Sequence, residues 1–527
     1  MPDATTTHPA AASSREEEGR YQAASERARK LSEAGWSSAP EPLAIELSMS
    51  GRRGFTLPES DVPEDDLGIP QDLLRASEPV WPEMSENEAV RHFIRMSAKN
   101  HHVDKNLYPL GSCTMKYNPK INEAAARMPG LVDLHPLQHD STIQGALALM
   151  YGLERQLMAV TGFDGVSLQP AAGAQGELTG LMVMRAYHAA NGEGEKRKRI
   201  LLPDSAHGTN PASVTFNGFV SEELESNERG RVDLKKLEAA LEDDVAGLMI
   251  TNPNTLGLFE TNIDRICAML HEAGGLVYMD GANLNALMGI VRPAEVGVDV
   301  MHFNLHKTFS TPHGGGGPGA GPIGVVEELV PFLPVPRIER EEDPERADGY
   351  RYRTEWDRPQ SVGKVHASYG NFGVLVRAFT YITALGSDGL ADASRNAVLN
   401  ANYLMHQLSD AFDLPHREPC MHEFVLSGDR QKDESGVTTL DMAKRLLDFG
   451  FYAPTVYFPL IVHEAIMIEP TETETRETLD VYAAAMLQIA EEAVSDPDRV
   501  KSAPHAAPVR RPDEARAAKS PDLRWRR

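Results

Sequence analysis

Five short polar stretches hold most of the reactive side chains in this 527-residue chain, and each follows an apolar run. Lys307 sits in HFNLHKTFSTPHGGGGPGAGP, just past the run DVMHF. A lysine beside glycines suggests phosphate, but a Walker loop places the lysine last, and here it comes before the glycines. The other use of such a lysine is as a nucleophile: a desolvated amine attacks an aldehyde. Asp280 follows the run LVYM, twenty-seven residues earlier. A buried carboxylate at that place keeps a ring nitrogen protonated, which an electron-sink cofactor requires. In QPAAGAQGE, a helix opens directly after a run that reads as a strand. Ala172, Gly173 and Ala174 let the backbone come close, and the free N–H groups at the helix start suit a phosphate. His207, in DSAH, offers a flat ring for stacking. Amine, acid, anion cradle and stacking ring together describe a pyridoxal phosphate site.

Each piece has a plainer reading alone. An Asp after a strand caps helices, a Gly/Ala helix start packs closely, a turn histidine bonds locally, and a lysine is solvated. Their order along successive strand ends favours the cofactor. The run of glycines then gives the chain room to turn beside a bulky group. His306, next to the lysine, reads as a packing residue or a proton shuttle. Arg353 and Arg377 are candidates for a substrate carboxylate by position only. His135 and His139 lie four apart, but Pro136 between them and the lack of a third ligand give no zinc site.

The elements that must position these residues alternate. Apolar runs ending near Leu168, Leu202, Ile250, Met279 and Phe303 read as buried strands. Helical patterns fall over Glu177–Ala190, Leu234–Leu241 and Ile263–Ala273, the last followed by Gly274 in a C-cap position. Such alternation implies a mostly parallel sheet with helices on both faces, and ligands then bind outside the carboxyl ends of the strands. From residue 371 the pattern changes to long helices with strand candidates at 423–426 and 465–468. Thr471 and Glu474 read as a capping box for the last helix. The division expected is an irregular leader and arm (1–85), a large α/β domain (86–370), a small α+β domain (371–494) and a basic, disordered tail (495–527). A helical patch is expected within the leader at 21–34.

A formal net charge of −25 argues against a nucleic-acid binder. No apolar run is long enough for a membrane span. Three cysteines, Cys113, Cys267 and Cys420, make no metal or disulfide pattern, which fits a reducing, cytoplasmic setting. Cys113 reads as a small buried thiol, with a redox role as the alternative.

The motifs NLHKTFSTPHGGGGPGAGP, YMDGANLNALMG, DSAHGTNPAS, TNPNTLGLFE, LYPLGSCTMKYNP and MIEPTETET resemble those of the glycine cleavage system P-protein family, from about residue 40 to 490. The length is similar to that of the second subunit of the split bacterial form. The resemblance implies a fold-type-I pyridoxal phosphate enzyme in which Lys307 carries the cofactor covalently. It further implies Asp280 at the ring nitrogen, His207 stacked on the ring, and Ala172, Gly173 and Ala174 at the phosphate. The implied reaction is decarboxylation of glycine, with the aminomethyl group passed to the lipoyl arm of H-protein. The implied partner is a homologous alpha subunit in an α2β2 assembly. The LYPLGSCTMKYNP stretch is expected across the active-site mouth. Two alternatives stay open: another type-I enzyme, such as an aminotransferase or amino-acid decarboxylase, and a scaffold subunit without catalysis.

Overall fold

Strands covered on both faces read as near-continuous apolar runs, and the central strands follow this apart from the polar residues they carry to the site. β1 (Gly165–Ser167), β2 (Arg199–Pro203), β3 (Val220–Leu224), β4 (Val245–Thr251), β5 (Leu276–Gly281), β6 (Val300–Phe303) and β7 (Ile323–Val325) form one sheet in the order β1-β7-β6-β5-β4-β2-β3. Every residue of β4, β5 and β6 is buried, as expected for parallel strands between helical layers. β2 to β6 run parallel, while β7 is antiparallel to both neighbours. Two members escaped the apolar pattern. β3 (VSEEL) is a polar edge strand, and β7 is three residues between glycines and prolines. The computed structural model describes residues 41–61, 68–77, 79–313, 319–507 and 509–523, with isolated positions 19, 22 and 25. The glycines at 314–317 and, apart from 22 and 25, the helical patch at 21–34 lie outside the described residues.

The helix Gly173–Ala190 lies directly on the sheet because Gly176 and Gly180, where it comes closest, have no side chain. A Cβ at Gly176 would meet the Gly321 carbonyl and His302, and one at Gly180 would meet Tyr278 and Val300. Ile263–Glu272 packs on the other side, and Gly274 ends it at φ +77°. A two-stranded hairpin, β8 (Arg337–Glu342) with β9 (Tyr350–Glu355), follows the sheet.

The helix Phe372–Leu408 bridges two cores, with non-helical backbone at Gly386. Val374, Leu375, Ala378 and Leu390 join the large core, while Ala401, Leu404 and Leu408 join the second one. The boundary between cores therefore falls inside this helix rather than at its start. The second core packs under β10 (Phe424–Ser427), β11 (Thr455–Val456) and β12 (Ala465–Ile468), in the order β10-β12-β11, all antiparallel. The last long helix runs over Arg476–Ser495 and is capped by Thr475, not by the expected Thr471 box. Thr471 is instead left-handed, with φ 64°.

Packing continues past residue 494, where a disordered tail was expected. A short helix, Pro497–Lys501, buries Val500, and Ala503 is buried after it. The His505 and Ala506 amides both donate to Asp448 Oδ1, and Arg511 pairs with Asp441. Two apolar anchors and a carboxylate acceptor explain why this stretch docks despite its basic composition. Among the described residues no helix is long and apolar enough to cross a membrane.

Candidate active site

Strand register assembles the floor of the site. Thr251 on β4 is paired with Asp280 on β5, and Asp280 with His302 on β6. Paired residues in a parallel ladder share a face, so hydroxyl, carboxylate and imidazole stand in one row. The Asp280 carboxylate receives the Ala282 N–H at 2.9 Å and the Asn210 amide at 3.2 Å, with His302 Nε2 also at 3.2 Å. The other His302 nitrogen meets the Tyr278 hydroxyl at 2.8 Å. Burial alone would raise the Asp280 carboxyl, but His302, the Ala282 N–H, Lys307 and Asn210 outweigh it and hold the group below the usual carboxylate range. An anion is thus kept in a dry place.

Lys307 leaves a single helical turn, Leu305–Thr308, that begins just after β6. Its Nζ donates to the Ser112 carbonyl at 2.8 Å. Ser112 belongs to the stretch expected at the mouth, and that stretch runs as a strap between the lysine and the small domain. Leu110 bridges to Ile468, the Glu469 N–H donates to the Pro109 carbonyl, and Lys116 pairs with Glu472 at 2.6 Å. Cys113 on the strap is half-buried, and burial pushes its thiol up, against a smaller downward pull from Lys307. His306 turns its Nδ1 to the Ala320 backbone and packs edge-on against His313. Burial, then His313 and Lys307, lower it to about 3, so it is neutral in the physiological range.

The remaining wall is the start of Gly173–Ala190. Its N-cap is Ala172, in extended backbone and with no side chain capping the helix. Gly173 and Ala174 line the same cavity as Asp280, His207 and Lys307, a space of about 190 Å³. Ala172 is not among the lining residues, and its carbonyl accepts from the Gly176 N–H. His207 is exposed at the mouth, its Nδ1 bound to Thr209 and its ring edge-on to Phe458. The Thr251 hydroxyl and Asn283 Oδ1, both buried on this cavity, have no hydrogen-bond partner among the described residues. An amine, an anionic carboxylate, an uncapped helix start and two unsatisfied polar atoms around one cavity fit the aldehyde, ring nitrogen and phosphate of pyridoxal phosphate.

Arg353 and Arg377 do not line this cavity. Arg353 is held by Glu339, Glu341 and Glu355 on the hairpin, and Arg377 by Glu123 at 2.7 Å. Several site residues had gone unrecognised. Glu177 is buried and accepts from the Thr209 and Ser213 hydroxyls, and Asn210 holds Asp280. His302 carried a usable signal: it is two residues after Val300, as Asp280 is after Tyr278, and so shares that face. Ser112 acts through its main chain and leaves no such mark.

The chain matches the family model for the C-terminal domain of glycine dehydrogenase over residues 393–508, and that for class-V aminotransferases over 182–316. It is 56% identical over 487 residues to the probable glycine dehydrogenase (decarboxylating) subunit 2 of Chloroherpeton thalassium, spanning 92% of this chain and 98% of that one. The same-named protein of Chlorobium phaeobacteroides is 57% identical over 481 residues, 91% of this chain and 98% of that one. Among solved structures it is similar to an inhibitor-bound glycine decarboxylase (P-protein) of the glycine cleavage system, with TM-score 0.68 and 18% identity over 80% of this chain and 93% of that one. A cysteine desulfurase from Thermococcus onnurineus NA1 gives TM-score 0.56 and 15% identity over 74% and 95%. These likenesses show a fold-type-I, pyridoxal-enzyme-like α/β architecture. With more than half of its residues shared along nearly the whole length of those relatives, the chain belongs to the glycine dehydrogenase (decarboxylating) subunit 2 family.

Proposed function

We propose that this protein is the second subunit of a glycine-decarboxylating P-protein, acting with pyridoxal phosphate at Lys307. It removes CO2 from glycine and passes the aminomethyl group to the lipoyl arm of H-protein, in company with a homologous first subunit. The observation that carries this reading is the placement of Lys307 and the anionic Asp280 on one small cavity at the carboxyl ends of β5 and β6. Bound pyridoxal phosphate supplies a protonated ring that takes up the electron pair left behind as CO2 departs.

The chain's own residues do the rest. Lys307 Nζ, oriented by the Ser112 carbonyl, is the amine that would hold the aldehyde. Asp280 keeps a proton on the ring nitrogen because three polar neighbours fix its charge before any ligand arrives. The uncapped N–H groups of Gly173 and Ala174 receive the phosphate, aided by the helix dipole. His207, exposed at the mouth of the cavity, would offer its ring to the cofactor from the solvent side. The strap, held against the small-domain strands, covers part of the lysine and would limit water at the site.

The test is a visible spectrum of the purified protein with pyridoxal phosphate, borohydride trapping and mapping of the modified peptide. Exchange of labelled bicarbonate into glycine is then measured with and without lipoylated H-protein and a subunit-1 partner. Modification at Lys307 with H-protein-dependent exchange supports the reading. Modification elsewhere, or exchange indifferent to lipoylation, overturns it.

A further inference from the structure

β10 and β12 pair with Phe424 opposite Ile468. One step beyond the ladder, that register sets Glu423 opposite Glu469, and both are fully buried, at 0% exposure. One oxygen of each, and a ring nitrogen of His422, lie within 4.8 Å of one another. Like charges directly opposite repel, and two carboxyls in one desolvated site do not both ionise. His422 brings no compensating charge: burial lowers it to about 3, and among the described residues neither ring nitrogen has a hydrogen-bond partner.

The two carboxyls face the strap. Glu423 accepts from the Ser112 N–H at 2.6 Å and the Ser112 hydroxyl at 3.1 Å, and Glu469 from the Thr114 N–H at 2.8 Å. Ser112 and Thr114 are both left-handed, with φ 58° and 44°, a strained form that needs support from outside the strap. The carbonyl that takes the Lys307 amine belongs to this pinned Ser112. Other titratable groups around Lys307 include Asp280 on β5, Glu177, His207 and His302 on the same cavity, His306 and His313 on its own loop, and Cys113 on the strap. Burial keeps His306 and His313 neutral and Cys113 a thiol, while Asp280, Glu423 and Glu469 each feel the Lys307 charge.

We propose that Glu423 and Glu469 share a single proton and act as one negatively charged positioning unit, which pins the strap and balances the Lys307 ammonium. The role toward Lys307 rests on that lysine being the reactive amine; the shared proton does not.

Glu423→Gln or Glu469→Gln each replaces one carboxyl by an amide and leaves a lone carboxylate, so the net charge of the pair is kept. The double variant removes it. In cofactor-free protein, infrared difference spectra at neutral pH are expected to show a protonated-carboxyl band that disappears in both single variants. Competitive acetylation, read by mass spectrometry of the Lys307 peptide, is expected to give a wild-type pH midpoint in each single variant. The midpoint falls by about one to three pH units in the double variant. Mere structural support would instead give a graded, additive change. A band that survives in either single variant overturns the shared proton, and does so even if the double variant does not fold. A folded double variant with an unmoved midpoint overturns the link to Lys307. Failure of borohydride trapping at Lys307 alone would sink the proposed function while leaving the infrared result standing.

Discussion

Asp280→Asn separates the structural and electronic duties of the central carboxylate. Asp280 accepts the Ala282 N–H on Oδ1 and the Asn210 amide on Oδ2. In the variant one oxygen becomes an NH2, which would face the Asn210 donor. Asn210 Oδ1, however, is buried and has no hydrogen-bond partner among the described residues. A half-turn of that amide presents Oδ1 to the new NH2, so the number of hydrogen bonds is preserved and only the charge is lost. Hydrogen bonds to a charged group contribute about 1.5–3 kcal/mol and neutral ones about 1 kcal/mol. Over the two bonds the expected loss of stability is therefore about 1–4 kcal/mol. Asp280→Ala leaves the two amide donors without an acceptor, at about 1–3 kcal/mol each. Its expected loss is about 2–6 kcal/mol.

Function should rank the two variants differently. Loss of the fixed charge that Asp280 would offer the ring nitrogen lowers turnover about 10²–10⁴-fold, equivalent to about 3–5 kcal/mol of barrier, and this applies to Asn as much as to Ala. The assay pairs urea unfolding of the cofactor-free protein with glycine–bicarbonate exchange at saturating pyridoxal phosphate. The reasoning fails if Asn unfolds as early as Ala, because Asn210 has then not turned. It also fails if Asn keeps turnover within about tenfold of wild type, because the charge is then not what the site uses.

Three further outcomes follow from the same geometry. Lys307→Ala abolishes borohydride-stable attachment of the cofactor while leaving the urea midpoint near wild type; attachment that persists at another lysine refutes the assignment. Gly180→Ala drives a methyl into the Tyr278 ring and Val300, costing about 1–3 kcal/mol and displacing the helix start at Gly173; unchanged stability and cofactor affinity would contradict the packing. Burial holds His101 and His313 at about 4, and His306 and His422 at about 3. Their folded values lie below the unfolded value of about 6.5, so this stability is present above that pH and is lost as pH falls toward 4. His422→Gln should flatten that acid limb in pH-dependent urea unfolding, and an unaltered limb would show that His422 takes no part.

The sheet and the placement of Asp280 and Lys307 at its carboxyl edge were legible in the sequence for one reason. A parallel strand buried on both faces has no alternation to confuse the eye, so GLMI, LVYM and DVMHF stand out, and the chemistry follows immediately after them. The elements that failed to show had the opposite character. β3 carries glutamates because it is an edge, and β7 is too short to make a pattern. The 495–511 segment reads as basic tail because the two small anchors that dock it, Val500 and Ala503, are outnumbered by its charges.

The support of the lysine was hidden for a different reason. Ser112 meets Glu423 across 311 residues of sequence and Thr114 meets Glu469 across 355, separations that no local periodicity encodes. Ser112 reaches Lys307 through a carbonyl, which every residue type possesses. Yet the two acids did leave a trace, since EFVLS opens on a glutamate directly before an apolar strand and AIMIEP closes on one directly after. An acid at each of those boundaries is unremarkable while the strands are considered singly. Once β10 and β12 are known to be antiparallel and paired from Phe424–Ile468, both acids fall at the same end, on the same rung and away from water. A conflict of charge that only register reveals is then the best guide to where this protein keeps a proton.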